Sequence, residues 1–191
     1  MNAALLTALI ALAASGAAQA APVIYDIDPA HTYPSFEADH MGISFWRGKF
    51  NSTRGTVTLD RAAGSGQIDV TVGVGSIDFG HDEMNNHAKG ADMFDATKFP
   101  EATYIGRLTA FVDGAPTRVD GELTLHGVTK PLALTIRSFK CIEHPMLKRE
   151  LCGADVAVTL DRAAFGIDAG KDYGFSMEVP LRIQVEAIVR E

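Results

Sequence analysis

VPLRIQVEAIV, Val179 to Val189, sets Val179, Leu181, Ile183 and Val185 on one side of the chain and Arg182, Gln184 and Glu186 on the other. A period of two is that of a strand with one face buried and one in water. The same alternation recurs upstream: Ile68, Val70, Val72 and Val74 in IDVTVGV, Val119, Leu123 and Leu125 in VDGELTL, Leu132, Leu134 and Ile136 in LALTI, and Val156, Val158 and Leu160 in VAVTL. Less regular strands fit VIYDID, SFEADH, residues 53–59 and ATYIGRLTAF. Turn signals fall between these runs, Ala63-Gly64-Ser65-Gly66 and Asp113-Gly114-Ala115-Pro116 among them. Together they describe an antiparallel sheet of about eight or nine strands joined by hairpins. A sheet that large, apolar on one side only, buries that side by curling closed or by pairing with a second sheet. Closure also removes the exposed edges, so the expected fold is an all-β barrel of about eight strands, with a two-sheet sandwich as the alternative.

One segment departs from the pattern. DFGHDEMNNHAKGADMFD, Asp78 to Asp95, carries two histidines, four aspartates and a glutamate, and it holds the helix candidate, about Asp82 to Ala91. It joins the strand ending near Ser76 to the one beginning near Ala102, a connection too long for a hairpin, so it reads as a short helical crossover. Phe79, Met84, Met93, Phe94 and Phe99 give it enough apolar surface to pack on the barrel mouth or enter it. A metal site would use His81, Asp82 and His87, but His81 and His87 are six apart and fall on opposite sides of a helix, so no metal is expected. Asp78-Phe79-Gly80 spells a kinase motif without the phosphate loop, strand lysine or catalytic loop that a kinase needs.

Composition narrows the class of function. Residues 1–20, MNAALLTALIALAASGAAQA, hold an apolar run from Ala3 to Ala14 and end in Ala18-Gln19-Ala20. They read as an export signal cleaved after Ala20, although only the α-amino group supplies positive charge ahead of the run. The remainder, 21–191, is long enough for a single domain with a sizeable core. It is expected to be soluble, with no later apolar run long enough to cross a bilayer. Its net charge of −7 opposes binding to a phosphate backbone, so nucleic acid is not an expected partner. Cys141 and Cys152 lie eleven apart and are expected to pair in an oxidising compartment, the alternative being two buried thiols. Such a bond would contribute about 2–3 kcal/mol by closing a short loop of the unfolded chain.

No set of residues points to catalysis. There is no G-x-S-x-G elbow, and both cysteines are expected to pair with each other. His31, His40 and His126 could line a cavity mouth or equally bond nearby backbone. The aromatics Phe36, Phe45, Trp46, Phe50, Phe94, Phe99 and Tyr104 lie near strand starts and in the crossover. An eight-stranded interior is just wide enough to be filled by such side chains or to hold one slender ligand. The expected ligand set adds His40 and His87 at the mouth and the inward Val70, Leu123, Leu134 and Leu181 to those aromatics. No cofactor is expected.

Four ordered stretches resemble the YceI-like, or polyisoprenoid-binding, proteins, which are bacterial and typically periplasmic. They are YDIDPAHTYPSFEADHMGISFWRGKF (Tyr25–Phe50), GSIDFGHDEMNNHAKGADMFDATKFPEATY (Gly75–Tyr104), GELTLHGVTKPLAL (Gly121–Leu134), and DRAAFGI with the closing VPLRIQVEA. The resemblance covers almost all of the chain beyond the signal. It implies a lipocalin-like barrel whose apolar tunnel holds a long-chain amphiphile, such as a polyisoprenoid, an isoprenoid quinone or a fatty-acid derivative. It further implies a periplasmic location, association into a homodimer, transient membrane contact and no established catalysis. The crossover departs from the family pattern: Phe79 replaces a Thr, Met84-Asn85 an Arg-Asp pair and Ala88 a Leu, while His87, Asp92, Phe94 and Pro100 match. Loss of that Arg removes a cation that would face a phosphate, which favours a quinone or another neutral amphiphile. The rival reading is a periplasmic enzyme or redox partner in which histidines beside a bound quinone move protons.

Overall fold

The structure, a computed structural model, describes residues 21–191, so the export signal read over residues 1–20 lies outside the described residues. The strands are β1 (Val23–Ile27), β2 (Tyr33–His40), β3 (Ser44–Phe50), β4 (Thr53–Asp60), β5 (Ser65–Gly73), β6 (Ile77–Asp78), β7 (Glu101–Val112), β8 (Ala115–Leu125), β9 (Val128–Glu143), β10 (Glu150–Asp161) and β11 (Glu178–Val189). One helix, α1 (Asp82–Lys89), lies between β6 and β7.

Eight strands, in the order β1-β4-β5-β7-β8-β9-β10-β11, form an antiparallel sheet that closes through β1–β11 pairs such as Ile27 with Ala187. This closure makes the fold a barrel and not a sandwich. β11 bonds two strands along the same edge: its Ala187–Val189 end takes β1, and Leu181–Gln184 takes β2. At the break between β1 and β2, Thr32 replaces the ladder with its side chain. Its hydroxyl donates to the Glu186 carbonyl (3.2 Å) and accepts the Glu186 N–H (3.1 Å). Beyond the break β2 pairs with β3, and β3 with the two-residue β6, so one end of the barrel is widened by a flap of three short strands.

The hairpins β4–β5, β7–β8 and β9–β10 lie at the opposite end. Asp113 and Gly114 both take positive φ (51° and 75°), the mirror-image turn whose twist matches two antiparallel strands. Cys141 and Cys152 sit opposite each other on β9 and β10 and are disulfide-bonded. Beside them the Tyr25 hydroxyl donates to Glu150 Oε2 (2.5 Å), helping to seal this end.

Inward positions follow the alternation. Tyr25, Leu59, Leu108, Val119, Ile136 and Val156 belong to one buried cluster, and Val74, Leu125, Leu160, Phe165 and Ile167 to a second. The half-buried Leu123 and Leu132 pack against both. At mid-barrel, Tyr104 lies against Gly106 and Gly121, which pair across β7 and β8; a Cβ at Gly121 would come 2.8 Å from its ring. Two missing side chains make room there for one large ring.

Candidate ligand-binding site

The barrel interior is not filled. It encloses a cavity of about 460 Å³, within the roughly 300–1,000 Å³ range of small-molecule sites. Inner-face residues Val57, Ile68, Val70, Leu123, Val158, Ile183 and Val185 are only partly buried, because one side of each meets that space.

α1 and its approaches lie across the flared end. The Asp78 carboxylate accepts the Gly80 N–H (2.7 Å), the Asn85 amide (3.1 Å) and the Asn51 amide (3.2 Å), while Asn85 Oδ1 accepts the Phe79 N–H (2.7 Å). These bonds, led by the Gly80 N–H, hold the Asp78 carboxyl below the usual aspartate pKa. His81 caps the helix, its Nδ1 accepting the Met84 N–H at 3.2 Å. Helical spacing then turns Met84 and His87 toward the cavity and buries Ala88, leaving Asp82, Glu83 and Asn86 in water. Two groups of three potential metal ligands converge within 4.8 Å among the described residues, Cys141–Glu150–Cys152 and Asp28–His31–Glu186; neither includes His81 or His87.

A run of edge-on and tilted aromatic contacts crosses the mouth. Phe94 meets Phe50 (5.8 Å between ring centres), Phe50 meets Phe36 (5.7 Å), Phe36 meets Phe79 (5.2 Å), and Trp46 touches both Phe79 (6.1 Å) and His81 (5.8 Å). Gly48 permits this, since a Cβ there would come within 2.6 Å of the Phe36 ring.

Of the residues expected from the sequence to meet a ligand, Phe36, His40, Trp46, Phe50, Val70, His87, Phe94, Tyr104, Leu123, Leu134 and Leu181 line this cavity. Two do not. Phe45 precedes the inward Trp46 on β3, so alternation turns it outward, and it is 53% exposed. Phe99 packs on the His126 ring (4.5 Å) and over Gly127, outside the cavity. His31 is also outside, its Nδ1 bonded to Asp28 Oδ2 at 2.7 Å.

The loop after β10 adds residues that the sequence reading passed over: Arg162, Ile167, Ala169, Gly170 and Phe175. Arg162 continues the inward series Val156, Val158, Leu160, and that period is the signal that marks it. Its Nη1 donates to the Ile167 carbonyl (3.0 Å) and its Nη2 to the Ala169 carbonyl (2.8 Å). Burial pulls its pKa down from the usual arginine value, against the fields of Asp168 and Asp161. Deeper in the wall, the Tyr104 hydroxyl donates to the Leu132 carbonyl (2.7 Å), and burial, with the Asp120 charge, pushes its pKa up to about 12. Thr53 also lines the cavity, and its buried hydroxyl has no hydrogen-bond partner.

A YceI-like domain model matches residues 25–187. The chain belongs to the YceI-like domain family. A curated relative, protein YceI of Shigella flexneri, is 32% identical over 91% of this YceI-like chain and 90% of the relative. A UPF0312 protein of Vibrio parahaemolyticus is 38% identical over 65% of this chain and 67% of its own length. Among solved structures, BcnA of Burkholderia cenocepacia superposes with a TM-score of 0.69 at 23% identity, covering 84% of this chain and 98% of BcnA. A polyisoprenoid-binding domain from Saccharophagus degradans superposes with a TM-score of 0.64 at 15% identity, covering 88% and 99% respectively. Likeness at that identity establishes the shared barrel. No helix among the described residues of this YceI-like chain is long and apolar enough to cross a membrane.

Proposed function

We propose that this YceI-like chain is a periplasmic carrier or sequestering protein that holds one long-chain amphiphile, polyisoprenoid, isoprenoid quinone or fatty-acid derivative, inside its barrel. The observation that carries this reading is the unfilled, apolar-walled interior beneath an aromatic mouth. The likeness to a domain described as polyisoprenoid-binding adds support. Burying each methylene of a ligand chain contributes about 0.8 kcal/mol. A neutral hydrogen bond from His40 or His87 adds about 1 kcal/mol, enough to orient a head group but small beside the chain. Met41, Ile43 and Phe45, exposed on and beside the β2–β3 turn, are the surface proposed for transient membrane contact. This function requires no cofactor.

The test is lipid content. Native mass spectrometry of protein exported to the periplasm is expected to find one bound lipid, and N-terminal sequencing to begin at Ala21. Val70→Trp or Leu123→Trp is expected to expel the lipid while leaving a folded barrel, at an overpacking cost of about 1–3 kcal/mol. Folded wild-type protein that carries no lipid and takes up neither an isoprenoid nor a fatty-acid probe would defeat the proposal.

A further inference from the structure

Among the described residues, Arg162 is the only lysine or arginine in the cavity wall. Several other arginines meet carboxylates, Arg47 with Glu37 (2.7 Å), Arg54 with Glu101 (2.7 Å), Arg118 with Asp120 (2.6 Å) and Arg190 with Asp26, while Arg107, Arg137 and Arg182, which meet none, are exposed to water. Arg162 has no carboxylate oxygen within 4.0 Å among the described residues. Its two side-chain bonds end on neutral carbonyls of its own loop, which fix the guanidinium plane and leave N–H donors unspent, so that only the more distant charges of Asp161 and Asp168 offset its own. The nearest sequence carboxylates, Asp161 and Asp168, belong to exposed residues. Asp39, the acidic residue of the cavity wall, is not within ion-pair distance of Arg162, and its carboxylate accepts the Gly42 N–H (2.9 Å) and the Ser176 N–H (3.2 Å).

A half-buried cation beside an apolar cavity, with no carboxylate in contact with it, favours an anion that arrives with the ligand. We propose that Arg162 anchors the ligand's head group and that this head is a single negative charge, a carboxylate in the simplest case. The inference rests on the cavity-binding reading above and narrows its ligand class. One guanidinium balances one carboxylate, whereas a diphosphate brings more charge than this wall can match. The missing crossover arginine argues for a neutral head only as long as Arg162 is overlooked, because the cation comes from the loop after β10 instead.

The test uses delipidated full-length mature protein and three probes at neutral pH: dodecanoate, dodecanol and farnesyl diphosphate. Trp46, the chain's single tryptophan, lines the cavity and reports binding by its emission. Because charge-assisted hydrogen bonds are stronger than neutral ones, dodecanoate is expected to bind roughly tenfold or more tighter than dodecanol. In Arg162→Met that ratio should fall to near one, and Arg162→Lys should keep it above one. Loosening of the Ile167–Ala169 loop would weaken both twelve-carbon probes together, so their ratio still reads the head group. A wild-type ratio near one, or a ratio that survives in folded Arg162→Met and Arg162→Gln proteins, would overturn the anchor. Tighter binding of the diphosphate than of dodecanoate would overturn the single charge. If no probe binds the folded protein, the cavity-binding reading itself fails, and this inference with it.

Discussion

Thr32 and Thr53 are buried alike, at 1% and 3% exposure, and differ in what their hydroxyls meet. The Thr32 hydroxyl stitches β11 through both the N–H and the carbonyl of Glu186, whereas that of Thr53 has no partner. Threonine to valine exchanges hydroxyl for methyl with little change of shape, so the two substitutions isolate that difference. An unsatisfied buried polar group costs about 1–3 kcal/mol, which Thr53→Val should recover. In a domain of about 150–250 residues each kcal/mol moves Tm by about 2–4 °C, so Thr53→Val should melt roughly 2–12 °C higher than wild type. Thr32→Val deprives the Glu186 N–H of its acceptor and should shift Tm downward by a similar amount. Thermal unfolding of delipidated protein followed by circular dichroism, with urea midpoints as a second measure, reads both. A Thr53→Val protein destabilised as much as Thr32→Val would refute the argument, since it would mean that the Thr53 hydroxyl is hydrogen-bonded.

Reducing the Cys141–Cys152 bond, which spans eleven positions, should remove about 3 kcal/mol in the chain-entropy model and lower Tm by roughly 6–12 °C; identical melting of oxidised and reduced protein would contradict this. The Asp78 carboxyl titrates below its usual value because the Gly80 N–H and the Asn85 and Asn51 amides bond its charged form. Its contribution is therefore complete above the unfolded pKa near 3.8 and is lost as pH falls through the lower folded value. Amide exchange in α1 should accelerate over that window and lose the dependence in Asp78→Asn; equal acid sensitivity in both proteins would count against the assignment.

Strands whose inward positions are uniformly apolar were legible from period alone, β11 above all. β3 was not: its inward side carries Gly48, which the Phe36 ring needs, and its outward side carries Phe45, so polarity does not alternate along SFWRGKF. The crossover helix was read to Ala91 and ends at Lys89, where Gly90 leaves helical geometry. The aliphatic and most aromatic cavity residues followed from strand faces. Arg162 and Thr53 escaped because a polar residue at an inward position looks like the end of a strand until the cavity behind it is known. Phe99 misled for the opposite reason, an aromatic in the crossover whose partner, His126, lies on a turn far along the chain.

The handover of β11 from β1 to β2 gives the wall a seam that stops partway. A zipper drawn open from the mouth would run through the four β2–β11 pairs, from Leu181–Phe36 to Gln184–Tyr33, and halt at the Thr32 stitch. Below that stop β1 and β11 remain joined, and the disulfide and the Tyr25–Glu150 bond lie at the far end. Door and frame are thus separate parts of one sheet: parting β2 from β11 would cost four ladder pairs and leave the eight-stranded hoop whole.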